Sequence, residues 1–170
     1  TGVFMATLAS PLDELEAYLA GMDMFRERWS REPDGAELCG ALIEGTFMNP
    51  ENHGAQNPDY MFAPSREVLD RLLAHPCVRM VNVAPEFGDL SLELIAWIAS
   101  CGAIPAAGHC KPTAAQLAQA ADRGLKYIIH MYNGPTGSST KSFDGGGMLE
   151  GALRDDRITA EMIGDLVHVH

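Results

Sequence analysis

Short apolar, β-branched runs alternate along this chain with longer segments whose apolar residues recur at helical spacing. The first run covers residues 2–8, and Leu12, Leu15 and Leu19 then form a stripe with a period of three to four residues. Ser10-Pro11, just before the stripe, is a typical helix start. This pairing of a strand with an amphipathic helix recurs to the end of the chain, which predicts a parallel sheet covered by helices.

The same pattern predicts six strands in all. They lie at residues 2–8, 37–43, 78–83, 104–108, 127–129 and 160–169, with helices after Ser10, Ser65, Leu90, Thr113 and Leu149. Six such units are compatible with an open doubly wound sheet or with a closed barrel. We predict the α/β class and a (β/α)₈ barrel. Three of the strand ends carry the polar side chains described next, and a barrel brings all its strand ends together at one mouth. A complete barrel needs at least ~200 residues, so about six of its eight units are expected here, within one incomplete catalytic domain at 1–170.

Three strand ends carry side chains that bind metals. Glu44 follows the second predicted strand, His109 the fourth and His130 the fifth. Two imidazoles and one carboxylate at neighbouring strand ends predict a site for one divalent metal ion. Zn²⁺ is the first choice, and Fe²⁺ suits the same ligands. The alternative is that both histidines are hydrogen-bonded structural residues and Glu44 a solvated turn carboxylate.

Charge and composition narrow the classes of partner. The chain has 170 residues and a net charge of −11, which excludes a surface for nucleic-acid phosphates. No apolar run reaches the roughly 20 residues of a membrane helix, and no signal peptide is visible. The four cysteines form no C-x-x-C pair. We therefore expect reduced thiols and a cytoplasmic protein that binds neither membrane nor nucleic acid.

Six short motifs follow one another along the chain. They are L-I-E-G-T-F-M-N-P at 42–50, G-A-Q-N-P at 54–58, V-A-P-E at 83–86, G-H-C at 108–110, H-M-Y-N at 130–133 and D-L-V-H-V-H at 165–170. This ordered set resembles the motifs of the N-acetylglucosamine-6-phosphate deacetylases, metal-dependent barrels of the amidohydrolase superfamily, where the first and the last three read H-L-E-G-P-F-L-N-P, G-H-S/T, H-L-F/Y-N-A-M and D-G-I-H-V-H. Departures at Leu42, Thr46, Gly134-Pro135 and Leu166, where that family has His, Pro, Ala-Met and Gly, indicate a divergent member.

The resemblance implies a hydrolase that removes the acetyl group from an N-acetylated amino sugar, expected to be N-acetylglucosamine 6-phosphate, in amino-sugar catabolism. Glu44, His109 and His130 would be the metal ligands, and a homodimer is expected. The implied substrate contacts are Asn133, the backbone of Gly134, His168, Gln56 and Lys141, the last at about the spacing of the family's phosphate-binding arginine.

One catalytic group of the family is absent from this sequence. Its general acid–base aspartate would follow His170, so no catalytic residue is assigned within the chain. Two alternatives stay open: a related enzyme acting on another amide or cyclic amide, and an inactive fragment or binding protein.

Near these motifs, Cys110 and Glu86 have two readings each and Asp165 has one. Cys110 is either a fourth ligand or, as we expect, a buried thiol in place of serine. Glu86 either supports the metal site or only precedes a helix. Asp165 is expected to be buried and to orient His168.

Overall fold

The computed structural model describes residues 2–31, 35–133, 136 and 145–169, and it contains one parallel six-stranded sheet. The strands are β1 (Gly2–Ala6), β2 (Glu37–Phe47), β3 (Val78–Val83), β4 (Ile104–Ala107), β5 (Tyr127–Ile128) and β6 (Thr159–Ala160). The helices are α1 (Leu12–Arg31), α2 (Arg66–Leu73), α3 (Asp89–Ser100), α4 (Ala114–Asp122) and α5 (Met148–Arg154).

Each strand pairs in parallel with the next strand along the chain, from β1 to β6. A doubly wound sheet would reverse its strand order at a switch point, and no reversal occurs among the described strands. Consecutive parallel order is the arrangement of a (β/α) barrel. The six strands therefore form part of a barrel wall, as the strand–helix repetition predicts.

Apolar side chains on the two faces of the sheet belong to two separate clusters. Ile43 and Val81 pack into the larger cluster, which also contains the buried residues of the helices. Their chain neighbours Leu42 and Met80 belong to a small second cluster with Ala106 and Ile129. Because successive strand residues face opposite sides, the second cluster lies on the face away from the helices. Glu44, two residues after Leu42, is expected on that same face.

The second strand is longer than predicted, so Glu44 lies within β2 rather than at its end. The β2–β3 register pairs Ile43 with Val81 and Phe47 with Val83, which leaves three residues of β2 opposite one residue of β3. Gly45, in this interruption, has φ +97°. Bulges of this kind re-aim side chains and are common beside active sites. The sequence pattern missed the bulge because Thr46 and Phe47 resemble the start of a loop.

The predicted last strand at 160–169 is wrong beyond Ala160. β6 pairs with β5 only through Thr159 and Ala160, and one further pair of backbone bonds links Glu161 to Ile128 and Met131. The neighbouring chain turns away there, because His130 has φ +31°. Within the part of the chain that the structure describes, no strand lies beside the residues after Glu161 to continue the ladder.

The helices follow their sequence signals closely. Leu15 and Leu19 of α1 are buried, and Leu12 is partly buried against the same core, as the stripe predicts. Ser65 caps α2, and Thr113 with Gln116 forms the predicted capping box of α4. In the described part of the chain, no helix is both long enough and apolar enough to cross a bilayer.

Gly45 generates a prediction about stability. A Cβ atom at Gly45 would lie 2.2 Å from the backbone nitrogen of Ala9, and the residue has φ +97°. We expect Gly45→Ala to lower the free energy of unfolding by about 2–4 kcal/mol. Gly21 in α1 has open space around it, so Gly21→Ala is the matched control and should raise stability by about 0.5–1 kcal/mol. Denaturant unfolding measures both, and an unchanged midpoint for Gly45→Ala would contradict the described bulge.

Candidate metal centre

Three side chains from three strands converge on one point. Glu44 Oε1 lies 3.1 Å from His109 Nε2 and 3.5 Å from His130 Nε2, and the two Nε2 atoms are 3.1 Å apart. The two imidazole rings meet edge to face. This is the one group of three or more ligating side chains that the described residues bring together within 4.8 Å of one another. The structure thus assembles the three residues that the strand-end pattern selected.

The spacing of these atoms fits a single metal ion. At ligand distances of about 2.0–2.1 Å, two ligand atoms are roughly 2.9 Å apart at a right angle and roughly 3.4 Å apart at a tetrahedral angle. The separations of 3.1, 3.1 and 3.5 Å lie within or next to that interval. Two imidazole nitrogens and a carboxylate oxygen are also an ordinary donor set for Zn²⁺.

The hydrogen bonding of His109 supports the same conclusion. Its Nδ1 lies 3.0 Å from the carbonyl oxygen of Asn52, and a carbonyl can only accept, so Nδ1 carries a proton. In the neutral ring, Nε2 then presents a lone pair to the Glu44 carboxylate and to His130. Those lone pairs repel unless positive charge lies between them. Fixing a ligating histidine through its other nitrogen is typical of metal sites.

Glu44 is ionised over the neutral range. Burial raises the pKa of its carboxyl group, but when the imidazoles of His109 and His130 carry protons in place of a metal ion, their hydrogen bonds and charges outweigh burial and lower the pKa to about 2. The carboxylate is 12% exposed, so its charge is screened only weakly by water. A buried anion of this kind needs a cationic or hydrogen-bonding partner.

The backbone of Glu44 is held by a side chain rather than by a strand. The Thr7 hydroxyl accepts a hydrogen bond from the Glu44 N–H at 2.9 Å and donates to the Glu44 carbonyl oxygen at 2.8 Å. Thr7 immediately follows β1 and is buried. Its hydroxyl therefore bonds the Glu44 backbone just beyond the last β1–β2 pair, Ala6 with Leu42.

Both histidines adopt left-handed backbone conformations, with φ +49° at His109 and +31° at His130. Such values are uncommon for residues other than glycine and persist where surrounding contacts impose them. The His109 N–H donates to the Thr136 hydroxyl at 2.7 Å, and the Asn49 N–H donates to the His109 carbonyl at 3.1 Å. These bonds hold His109 on both sides.

Gln56 lies against a metal-site residue. Its Oε1 accepts from the Ala9 N–H at 2.8 Å, which orients the amide so that Nε2 donates to Glu44 Oε1 at 3.1 Å. Gln56 was predicted as a substrate contact, and that role stays a prediction. Its bond to Glu44 was not foreseen, because a glutamine in a loop motif carries no sign of its partner.

The three ligand atoms face a cavity of about 320 Å³, which is within the size range of small-molecule sites. Its lining includes Asn133, one of the predicted substrate contacts. The remaining lining residues are the three ligands together with Gly54, Ala55 and Gln56. The loop after β2 thus forms one wall of the site, which accounts for its length.

Of the remaining predicted substrate contacts, the structure describes only His168. Gly134 and Lys141 lie outside the described residues. His168 is exposed and does not line the cavity; its Nδ1 lies 2.7 Å from Asp165 Oδ2. Asp165 therefore orients His168 as expected, but the prediction that Asp165 is buried is wrong. It is exposed because the chain has left the sheet before this point.

Cys110 and Glu86 have structural partners. Cys110 is fully buried, and its Sγ lies 3.5 Å from Met148 Sδ. Burial, with a smaller effect of Glu86, raises the pKa of the thiol well above its usual value. Among the described residues, Cys110 does not belong to the group of ligating side chains formed by Glu44, His109 and His130, which supports the reading of Cys110 as a buried thiol. Glu86 accepts bonds from the Asn49 side chain and the Lys111 N–H, so it supports the loops beside His109.

Sequence reasoning missed the residues that hold the ligands in place. Asn82 of β3, fully buried, donates to the Gly108 carbonyl just before His109 at 3.1 Å. Thr7 and Thr136 hold backbone groups of Glu44 and His109. A polar residue at a strand end was a usable signal for Thr7, but nothing in the sequence specifies which backbone group a hydroxyl binds.

Comparisons with known proteins agree with the motifs. No family model matches the chain. It is 31% identical over 166 residues to an N-acetylgalactosamine-6-phosphate deacetylase of Escherichia coli, across 96% of this chain and 42% of that protein. It is 30% identical over 138 residues to an N-acetylglucosamine-6-phosphate deacetylase of Bacillus subtilis, across 80% of this chain and 34% of that protein.

Solved structures give the same result. The N-acetyl-D-glucosamine-6-phosphate deacetylase of Mycobacterium smegmatis superimposes with a TM-score of 0.86 at 26% identity, over 100% of this chain and 43% of that one. A structure of the same enzyme in complex with N-acetyl-D-glucosamine-6-phosphate gives 0.81 at 27% identity, over 96% and 41%. The resemblance to these deacetylases is confirmed, and the chain spans about two-fifths of their length.

The convergent ligands predict metal binding that depends on each of them. We expect the protein, freed of metal by a chelator, to bind one Zn²⁺ ion per chain. His130→Gln should weaken the affinity by more than about 100-fold, since losing even a partner of a ligand costs roughly 10–100-fold. His75→Gln is the control, because His75 pairs with Asp23 and not with the metal ligands. Equilibrium titration measures both variants, and unaltered affinity in His130→Gln would contradict the proposed ligand set.

Proposed function

We propose that the protein to which this chain belongs is a metal-dependent hydrolase that removes the acetyl group from a 6-phosphorylated N-acetylhexosamine. The convergence of Glu44 Oε1, His109 Nε2 and His130 Nε2 within 4.8 Å carries the proposal. It occurs in a chain whose curated relatives and structural neighbours include deacetylases of such sugars. Because the chain spans about two-fifths of those proteins, the activity is proposed for the whole protein.

We propose that the six strands belong to a closed (β/α)₈ barrel and that residues 1–170 are part of its single catalytic domain. The consecutive parallel order of the strands supports this, as does the superposition of 100% of this chain on 43% of the Mycobacterium smegmatis enzyme. In such barrels, catalytic groups stand at the carboxyl ends of the strands. His109 and His130 each lie two residues beyond the ends of β4 and β5, which fits that rule.

The three ligands suit amide hydrolysis. A divalent ion in this site would polarise the acetyl carbonyl and lower the pKa of a bound water. Glu44 supplies the negative charge that holds the ion, and the Asn52 carbonyl keeps the lone pair of His109 Nε2 directed at the site. Gln56 donates to Glu44 Oε1 and keeps that oxygen in place. The family's proton-transferring aspartate is expected beyond His170.

The relatives' names indicate two closely related sugar phosphates as substrates. One relative acts on N-acetylgalactosamine 6-phosphate by its name, and another on N-acetylglucosamine 6-phosphate. These sugars differ only in the configuration of one hydroxyl group, so we propose the shared chemistry: a 2-acetamido hexose with a 6-phosphate. Asn133, the backbone of Gly134, Lys141 and His168 are the proposed contacts to it.

The resemblance also supports proposals about the metal ion, the cellular compartment and the oligomeric state. We propose Zn²⁺ as the metal, with Fe²⁺ as the second choice, because two imidazoles and one carboxylate suit both ions. We also propose a cytoplasmic homodimer. A hydrolase of some other amide and an inactive binding protein are the alternatives, and the comparisons do not favour either.

The proposal predicts acetate release that requires the metal ligands. With the whole protein and Zn²⁺, we expect acetate and a free amino sugar phosphate from one or both 6-phosphorylated N-acetylhexosamines. Glu44→Gln should lower kcat/KM by at least about 10³-fold, because a metal site supplies several kcal/mol of transition-state stabilisation. Glu67→Gln, at an exposed position in the first turn of α2, should leave the rate unchanged. A fully active Glu44→Gln enzyme would refute the proposal.

Recognition of the phosphate predicts a separate effect at Lys141. We expect Lys141→Ala to raise KM for the 6-phosphorylated N-acetylhexosamine roughly tenfold, because loss of one charged hydrogen bond costs about 1.5–3 kcal/mol. The KM for unphosphorylated N-acetylglucosamine should not change. Lys126→Ala, at an exposed residue before β5, is the matched control. If Lys141→Ala leaves KM for the phosphorylated sugar unchanged, the assignment of Lys141 is wrong.

A further inference from the structure

We propose that two buried threonines, Thr7 and Thr136, are positioning residues of the metal centre. Each uses its hydroxyl to hold the backbone of one ligand residue, Thr7 that of Glu44 and Thr136 that of His109. The inference rests on the proposed metal site and adds to it the groups that set its geometry. Neither threonine lines the cavity in front of the ligands, so their role is distinct from binding substrate.

Thr7 holds Glu44 at the bulge in β2. The regular β1–β2 register ends with Ala6 opposite Leu42, and the Thr7 N–H continues it by donating to the Leu42 carbonyl at 3.0 Å. Beyond that point the Thr7 hydroxyl takes over, with bonds of 2.9 and 2.8 Å to the N–H and carbonyl of Glu44. Without the hydroxyl, two backbone polar groups of a buried ligand residue would lose their partner.

Thr136 holds His109 and connects it to His130. Its hydroxyl accepts from the His109 N–H at 2.7 Å, at the residue where φ is +49°. Its own N–H donates to the Asn133 carbonyl at 2.7 Å, and the Asn133 N–H donates to the His130 carbonyl at 3.1 Å. Thr136 is 1% exposed, so water cannot replace its hydroxyl. A short chain of hydrogen bonds thus fixes the backbones of both histidines relative to one another.

These bonds affect metal affinity because they act on the ligand residues themselves. A shift in the backbone of Glu44 or His109 moves the carboxylate oxygen or Nε2 by a comparable distance. Metal sites tolerate errors of only about 0.2–0.5 Å in ligand position. Loss of a partner that orients a ligand typically weakens affinity 10–100-fold. We therefore expect both hydroxyls to contribute on that scale.

The test compares substitutions that remove or keep the hydroxyl. Thr7→Val and Thr136→Val preserve shape and lose both hydrogen-bonding functions, whereas Thr7→Ser and Thr136→Ser keep them. Thr46→Val is the matched control, because Thr46 is 2% exposed and close to Glu44 in sequence, yet no hydrogen bond among the described residues joins its hydroxyl to a metal ligand. The Zn²⁺ dissociation constant of the whole protein is measured by competition with a chromophoric chelator, alongside the unfolding midpoint of the metal-free form.

We expect each valine variant to bind Zn²⁺ 10–100-fold more weakly, and the serine variants and Thr46→Val to stay within about threefold of the parent protein. Valine variants that lose stability but bind Zn²⁺ as tightly as the parent would overturn the inference. If a valine variant does not fold, a serine variant with tenfold weaker binding would also overturn it. A parent protein that binds no Zn²⁺ would refute both the proposed function and this inference. Valine variants that bind Zn²⁺ as tightly as the parent would refute this inference alone, so the two failures are distinguishable.

Discussion

The site depends on one electrostatic constraint: three electron-pair donors are held about 3 Å apart on the inner face of a sheet. A carboxylate oxygen and two imidazole nitrogens repel each other at that distance unless positive charge lies among them. A proton can serve only one pair of these atoms at a time, whereas a divalent ion serves all three. The proximity of Glu44, His109 and His130 is thus the feature that a metal ion explains.

The fold opposes that repulsion with rigid backbone rather than with other charges. Glu44 lies in a bulge whose turn needs glycine at position 45, where a Cβ atom would collide with the backbone of Ala9. His109 follows Gly108, whose missing side chain leaves room for Ile129. Buried hydroxyls then hold the ligand backbones where the strand ladder is interrupted. The backbones of Glu44 and His109 are therefore held in place, as a preorganised metal site requires.

The sequence predicted the order of the elements and the convergence of Glu44, His109 and His130, because both depend on local patterns. Strand–helix alternation, the caps at Ser65 and Thr113, and the polar residues that follow β4 and β5 are all readable within a few residues. The bulge in β2 and the short β6 are not, because each depends on what the neighbouring strand does: β3 for the bulge, and the turn at His130 for β6. The exposure of Asp165 was missed for the same reason.

The arrangement of the ligands could be tested most directly by anomalous diffraction from crystals of the whole protein soaked with Zn²⁺, recorded at the zinc absorption edge. The account predicts one strong peak per chain, about 2.0–2.2 Å from Glu44 Oε1, His109 Nε2 and His130 Nε2. A crystal saturated with Zn²⁺ that shows no peak at this position, or a peak bound by other side chains, would contradict it.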